Sequence, residues 1–163
     1  MQHSKTILVY ALLFCCVSGL GFLSQSVRQT TAGVKVTIKK APYCLAIALL
    51  VIFTALYASG ADYLQYKLIF SESDWEAIRD TQIEAGYRIL NIVLKWICFG
   101  NAVIGVAIIK SLTVIIVGRC FYLLKDKINI GLSLAAYVAL AYFISLNLIR
   151  IYLASAVVLA GVT

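Results

Sequence analysis

Three short polar clusters interrupt an apolar chain, and their side chains suit sugar and phosphate chemistry. The first contains Asp62, the second Glu84 with Arg88, and the third Arg150. Arginine recognises a diphosphate well because its planar guanidinium forms paired hydrogen bonds and stays charged. A carboxylate within hydrogen-bonding reach can take the proton of a sugar hydroxyl. The combination fits glycosyl transfer from a lipid-linked diphosphate donor.

The candidate residues divide by chemistry. The candidate catalytic residues are charged: Asp62, Glu84, Arg88 and Arg150. The candidate substrate-binding residues are aromatic or carry an amide: Tyr63, Tyr66, Tyr87, Asn91, Asn147 and Tyr152. A purely structural interpretation stays open on spacing alone. In it the tyrosines form an aromatic belt at the lipid headgroups, the arginines reach water along apolar surface, and the carboxylates are solvated.

The composition is that of a membrane protein. Of 163 residues, 63% are hydrophobic and only 13% are charged, with a mean hydropathy of +0.96. Soluble domains carry about 25% charged residues. We therefore predict an all-α, polytopic integral membrane protein whose residues 1–163 form a single transmembrane domain in contact with membrane lipids. The net charge of +7 is typical of basic loops on a membrane protein, so we predict no nucleic-acid partner.

Metal ligands are scarce in the sequence. His3 is the single histidine, and the five cysteines lie in apolar runs without a C-x-x-C pair. Free cysteines in such runs usually pack as small apolar side chains. We therefore predict no metal site and no cofactor.

Five apolar runs could form transmembrane helices, which need about 20 residues to cross about 30 Å of hydrocarbon. They are 7–24, 43–58, 102–124, 128–146 and a shorter run, 151–163. A cleaved signal peptide is the alternative for the first run, because Lys5 precedes it. The last run is short of a full crossing, so we expect the chain to be the N-terminal portion of a longer fold.

The charges of the loops predict an orientation. Residues 25–42 contain four basic residues and no acid, whereas the segment from 60 to 91 holds six of the seven acidic residues. Basic loops stay on the cytoplasmic side. The predicted topology therefore places the N-terminus outside, 25–42 inside, 60–100 outside, 124–128 inside and 147–150 outside.

Two features are predicted within the outer segment. From Tyr87 to Ile97 the polar residues Arg88, Asn91 and Lys95 form one helical stripe, which predicts an amphipathic surface helix with this stripe in water. Gly100 and Asn101 would end it, and a crossing from 89 to 109 is the alternative.

A short helix is also expected over Ser73–Thr81. Ser71 or Ser73 could cap this helix, and Asp74 and Glu76 favour a helix N-terminus. Its Trp75 and Ile78 would face the membrane or the site.

The three clusters resemble the signature of the EpsG family of exopolysaccharide polymerases, which are related to the Wzy polymerases of O-antigen and capsule. The first family motif, G-x-D-Y-x-x-Y, is matched by Gly60, Asp62, Tyr63 and Tyr66. The second, similar to E-P-G-Y/F-R, is matched by Glu84, Ala85, Gly86, Tyr87 and Arg88, with Leu90 and Asn91 following. The third, N-x-[IL]-R-Q-x-[LI]-A, is matched by Asn147, Ile149, Arg150, Leu153 and Ala154. Ala85 and Ile151 replace the family's proline and glutamine, and family members are longer than this chain.

The resemblance implies a metal-independent glycosyltransferase in the bacterial inner membrane, joining repeat units carried on undecaprenyl diphosphate at the outer face. It implies that Arg88 and Arg150 hold the diphosphate and that Asp62 or Glu84 is the base or the charge partner. The implied partners are the lipid-linked oligosaccharide and other membrane proteins of polysaccharide assembly. Two alternatives stay open: a non-catalytic truncated protein or subunit, and a small transporter, for which Lys110 near mid-span is the main support.

The sharpest prediction from the sequence concerns the two arginines. Arg88 and Arg150 should share an outer-facing pocket with Asp62 or Glu84. Two guanidinium groups held close together repel each other unless an anion or a carboxylate lies between them.

Overall fold

A computed structural model describes residues 2–30, 33–57, 62–76 and 83–163 of the chain. It consists of helices joined by loops and one β-hairpin. In chain order the elements are α1 (Gln2–Ser24), β1 (Gln25–Thr30), β2 (Gly33–Ile38), α2 (Lys40–Leu56), α3 (Tyr63–Glu72), α4 (Ala85–Ile97), α5 (Ala102–Leu123), α6 (Ile130–Ser145) and α7 (Ile149–Val162). A single π-helical stretch, Val138–Tyr142, lies within α6.

Each of the five predicted apolar runs is helical, with boundaries within a few residues of those predicted. Among the described residues, the apolar part of α1 from Ile7 to Ser24 and the whole of α5 are long and apolar enough to cross a membrane. The apolar helices α2, α6 and α7 are shorter. The helical class is therefore confirmed, and a topology with five crossings stays a prediction.

The basic segment after α1 forms a hairpin that the sequence analysis did not predict. β1 and β2 pair in antiparallel register, with Val27 opposite Val36, and the Lys39 amide donates to the Ser24 carbonyl at 2.8 Å. Valine and threonine recur in both strands, and β-branched side chains favour extended backbone. The predicted polar loop therefore has regular structure.

The packed interior is divided into two clusters that share α5. The larger one joins α1, α2, α6 and the second half of α5, around residues such as Leu50, Val114 and Tyr142. The smaller one joins α3, α4, the start of α7 and the first half of α5, around Phe70, Val106 and Ile149. All three polar clusters of the sequence contribute side chains to this smaller group, through Tyr66, Tyr87 and Ile149.

The orientation predicted for α4 is wrong. Arg88 is 5% exposed and Asn91 is fully buried, so the polar stripe faces the other helices instead of water. The opposite side presents apolar residues outward, including Val93 and Trp96. Polar groups of membrane helices turn toward the protein interior, because lipid gives them no hydrogen-bond partners.

The break between α4 and α5 lies where glycine and asparagine predicted it. Phe99 and Gly100 adopt left-handed backbone with φ of 52° and 76°. The Asn101 carboxamide then caps α5 by accepting from the amides of Val103 and Ile104, at 3.0 and 3.2 Å. This break contradicts the alternative crossing from 89 to 109.

The short helix predicted over Ser73–Thr81 is wrong where the structure describes it. Residues 73–76 are not helical, and 77–82, with Ile78, lie outside the described residues. The Ser71 and Ser73 hydroxyls donate back to the carbonyls of Leu68 and Ile69, at 2.8 and 2.6 Å. They therefore close the end of α3 and do not cap a helix that follows.

Candidate functional site

The candidate site lies where α3, α4 and the start of α7 meet over the first half of α5. Tyr66 and Phe70 of α3 are buried against α5. A side chain at Gly105 would lie 2.2 Å from ring atoms of Phe70, so only glycine permits this approach of α3 to α5. The glycine therefore sets the position of α3 in the site.

A cavity of about 340 Å³, which we call the arginine cavity, contains both arginines singled out in the sequence. Its lining consists of one face of α3, the residue just before α4, and the two arginines: Gln65, Leu68, Ile69, Glu72, Ile83, Arg88 and Arg150. Arg88 and Arg150 are separated by 62 positions in the sequence, and the fold brings them to one cavity.

Glu84 forms an ion pair with Arg150. An Arg150 guanidinium nitrogen (Nη1) lies 3.0 Å from Glu84 Oε2, and the two side chains are 29% and 68% exposed. The two groups come from the loop before α4 and from the first turn of α7. Of the two carboxylates predicted to lie beside the arginines, Asp62 and Glu84, it is therefore Glu84 that pairs with Arg150.

An apolar groove of about 890 Å³ adjoins the arginine cavity and shares Arg150 with it. Its polar end is formed by Glu84 and Arg150, and Tyr87 and Leu90 of α4 form one wall. The other wall is the side of α7 with Ile151, Leu153, Ala154, Ser155, Val157 and Val158. Arg150 therefore lies at the junction between a charged cavity and an apolar groove.

Two asparagines near the arginines have buried polar atoms without hydrogen bonds. Within the described part of the chain, neither side-chain atom of the fully buried Asn91 has a hydrogen-bond partner, and the same holds for Asn147 Oδ1. Asn91 follows Arg88 by three residues on α4, and Asn147 precedes Arg150 by three. Buried amide groups without partners cost about 1–3 kcal/mol each, and neither asparagine lines the arginine cavity or the apolar groove.

Tyr66 and Tyr87, from the first two clusters, pack against each other beside the candidate site. The rings of Tyr66 and Tyr87 pack edge to face with centroids 6.4 Å apart, and both are buried. Burial raises the pKa of the Tyr87 phenol, and the neighbouring Tyr66 raises it further. Tyr87 is therefore a neutral hydrogen-bond donor at any physiological pH. Its hydroxyl is near Asn91, although not in hydrogen-bonding geometry.

Six predicted site residues line neither the arginine cavity nor the apolar groove: Asp62, Tyr63, Tyr66, Asn91, Asn147 and Tyr152. Asp62 immediately precedes α3, and the residues of α3 that line the cavity begin at Gln65. Tyr152 lies near Tyr137 of α6, because two residues along α7 correspond to a rotation of about 200° away from Arg150. Neither residue lines the arginine cavity or the apolar groove.

Sequence reasoning missed Gln65, Glu72 and Lys95. Gln65 and Glu72 are seven residues apart on α3, which places them on one helical face. That seven-residue spacing is present in the sequence, but the polar composition of the segment favours a loop. Lys95 donates to the carbonyls of Ser71 and Ser73, at 2.6 and 3.2 Å, and so stabilises the C-terminus of α3.

Lys110, the buried cation of α5, supports the loop before α3. Its ammonium donates to the Tyr57 carbonyl at 3.3 Å, at the end of α2, and lies 4.9 Å from the centre of the Tyr63 ring. A lysine at a helix C-terminus and against an aromatic face has a structural explanation. The observation that favoured a transporter is therefore accounted for by packing.

The apolar helices indicate a membrane protein, and the two arginines predicted from the sequence line one cavity in it. The chain belongs to the EpsG family, whose profile matches residues 40–163. This membership associates it with a membrane, with polysaccharide polymerisation and with lipid-linked polysaccharide precursors. Comparison with curated proteins and with solved structures gave no match.

Proposed function

We propose that this protein acts in the polymerisation of exopolysaccharide, capsule or O-antigen, joining repeat units carried on undecaprenyl diphosphate. The polymerisation takes place at the outer face of a bacterial inner membrane, within a multi-pass protein whose N-terminus is outside. Its substrate is the lipid-linked oligosaccharide, and residues 1–163 form one transmembrane domain of a polymerase fold.

The observation that carries the proposal is the position of Arg150. It borders the arginine cavity on one side and the apolar groove on the other. A polyprenyl diphosphate has the matching form, with a dianionic head next to a long apolar chain. Arg88 and Arg150 bind the diphosphate in the cavity, and the first isoprene units lie in the groove between α4 and α7.

The reaction needs charge stabilisation at the leaving group. When a sugar hydroxyl attacks the anomeric carbon of the donor, the carbon–oxygen bond to the diphosphate breaks and its electron pair stays on the phosphate oxygen. Guanidinium groups fixed at that oxygen stabilise the developing charge without reorganisation.

The test is complementation in the strain that encodes this protein. In a deletion strain, the wild-type chain should restore long surface polysaccharide, measured as a chain-length ladder on gels. Arg88→Lys and Arg150→Lys should each lower polymer yield at least about tenfold, because lysine keeps the charge but loses the paired hydrogen bonds. Arg119→Lys, an exposed change on α5, is the matched control and should behave as wild type.

Binding in nanodiscs separates the diphosphate from other lipid phosphates. The chain should bind undecaprenyl diphosphate more tightly than undecaprenyl phosphate or phosphatidylglycerol, and Arg150→Lys should remove that preference. Equal binding of the three lipids, or full complementation by both lysine variants, would show that the arginines do not recognise a diphosphate.

A further inference from the structure

Among the described residues, Glu72 is the one carboxylate that lines the arginine cavity, and neither the sequence clusters nor the proposed diphosphate site uses it. It is the last residue of α3 and shares a face of that helix with Gln65. Within the described part of the chain it forms no ion pair, whereas Glu84 is engaged by Arg150. The cavity thus has a carboxylate from α3 in its lining, together with one arginine from α4 and one from α7.

The backbone around Glu72 is fixed by Lys95. The Lys95 ammonium reaches from α4 and donates to two carbonyls, that of Ser71 just before Glu72 and that of Ser73 just after it. Lys95 lies two turns after Arg88 on the same helix. One helix therefore supplies a cavity arginine and also holds the backbone on both sides of Glu72.

The other two carboxylates are less suited to take a proton. The Glu84 carboxylate already accepts a hydrogen bond from the Arg150 guanidinium at 3.0 Å, so it is engaged by that ion pair. Asp62 lies about 15 Å from Glu72 along α3 and does not line the arginine cavity. Glu72 is the carboxylate that lines the same cavity as both arginines.

We propose, on the basis of the function proposed above, that Glu72 is the general base of the transfer and that Lys95 is its positioning residue. The acceptor hydroxyl loses its proton to the Glu72 carboxylate as its oxygen bonds to the anomeric carbon of the donor sugar. The bond from that carbon to the diphosphate breaks, and undecaprenyl diphosphate leaves with the electron pair. Glu72 returns the proton to water after the product moves.

Glu72→Gln tests the assignment in the same deletion strain and in nanodiscs. We expect polymer yield to fall at least about a hundredfold, the lower end of the range typical for loss of a general base, while binding of undecaprenyl diphosphate stays within about twofold of wild type. Glu76→Gln, an exposed change on the same segment that lines neither cavity, is the matched control and should keep full yield.

Lys95 variants test the positioning role. Lys95→Met should lower polymer yield with undecaprenyl diphosphate binding unchanged, and Lys95→Arg should restore most of the yield, because it can still donate to both carbonyls. Protein level and thermal unfolding in detergent are measured for every variant. Glu72→Asp serves as a second variant if Glu72→Gln does not accumulate, and its shorter side chain should give intermediate yield.

The possible results separate the two proposals. Full yield from Glu72→Gln, or loss of lipid binding together with yield, would overturn the assignment of Glu72 as base and leave the polymerase proposal standing. If the wild-type chain neither complements nor binds undecaprenyl diphosphate, the polymerase proposal is wrong and the role of Glu72 falls with it.

Discussion

An anion that enters the arginine cavity must compete with Glu84 for Arg150. The ion pair is partly exposed to solvent, and pairs of this kind contribute only about 0.2–1 kcal/mol. The carboxylate therefore compensates the arginine in the empty site without closing it. This is the arrangement expected of a site that exchanges a product diphosphate for a new donor.

Replacing Glu84 by glutamine should therefore affect binding more than folding. We expect Glu84→Gln to lower the free energy of unfolding by less than about 1 kcal/mol and to tighten undecaprenyl diphosphate binding up to about fivefold. Thermal unfolding in detergent and lipid titration in nanodiscs measure the two effects. Weaker binding by this variant would instead mean that Glu84 itself contacts the ligand.

At the scale of residues, the sequence predicted the meeting of Arg88 and Arg150 because both follow recognisable motifs. It could not choose between Asp62 and Glu84, since the choice depends on how the loop before α4 packs beside the first turn of α7, where Glu84 pairs with Arg150. Lys95 was assigned to a water-facing stripe, whereas it donates to the end of α3. Contacts between helices are a property of packing, and residue types alone do not reveal them.

At the scale of elements, α4 shows how a polar stripe is oriented in this molecule. The spacing of the residues predicts the helix and its polar stripe correctly, but it does not predict which side packs against the other helices. Arg88 and Asn91 face the interior, and Val93 and Trp96 face outward. The orientation depends on the cavity that Arg88 shares with residues of α3 and α7, and the periodicity of one helix does not reveal such a cavity.

The packing of α3 on α5 gives a prediction at this scale. Gly105→Ala should displace Phe70 and destabilise the protein by about 1–3 kcal/mol, as is usual when a packed contact gains a carbon. Thermal unfolding in detergent measures the loss. Gly19→Ala is the matched control in another apolar helix, since a side chain there would contact nothing within 4 Å.

A second substitution makes this prediction stricter. Phe70→Leu should recover part of the stability lost in Gly105→Ala, because it removes the ring that the new methyl group meets. Additive losses in the double variant would show that the two positions are not in contact.

At the scale of the whole molecule, the candidate site lies beside the smaller of the two core clusters. α1, α2, α6, the second half of α5 and Ala156 of α7 form the larger cluster, whereas α3, α4 and the start of α7 contribute to the smaller one. Apolar runs predicted the positions of the long helices well, since burial in lipid demands long apolar stretches. The hairpin and α3 were not predicted, because short polar segments carry little periodic signal.

Cysteine labelling tests the orientation of this assembly. In a background without the native cysteines, Glu76→Cys should react with a membrane-impermeant maleimide from outside the cell, and Thr37→Cys should react only after the membrane is opened. Both side chains are exposed, so burial within the protein does not prevent labelling at either position. The reverse pattern would place the arginine cavity on the cytoplasmic side and exclude a reaction at the outer face.

The side chain of Gln25 connects the hairpin to a part of the chain that is synthesised much later. Its amide group donates to the carbonyl of Ile128 at 3.1 Å, and its oxygen accepts from the amide of Ile130 at 2.8 Å, partners that lie 103 and 105 residues later. A ribosome delivers α1 and the hairpin long before those partners exist. Until the turn between α5 and α6 has been synthesised, the side chain of Gln25 lacks these two partners. The contact between the hairpin and that turn is therefore one that forms only late in synthesis.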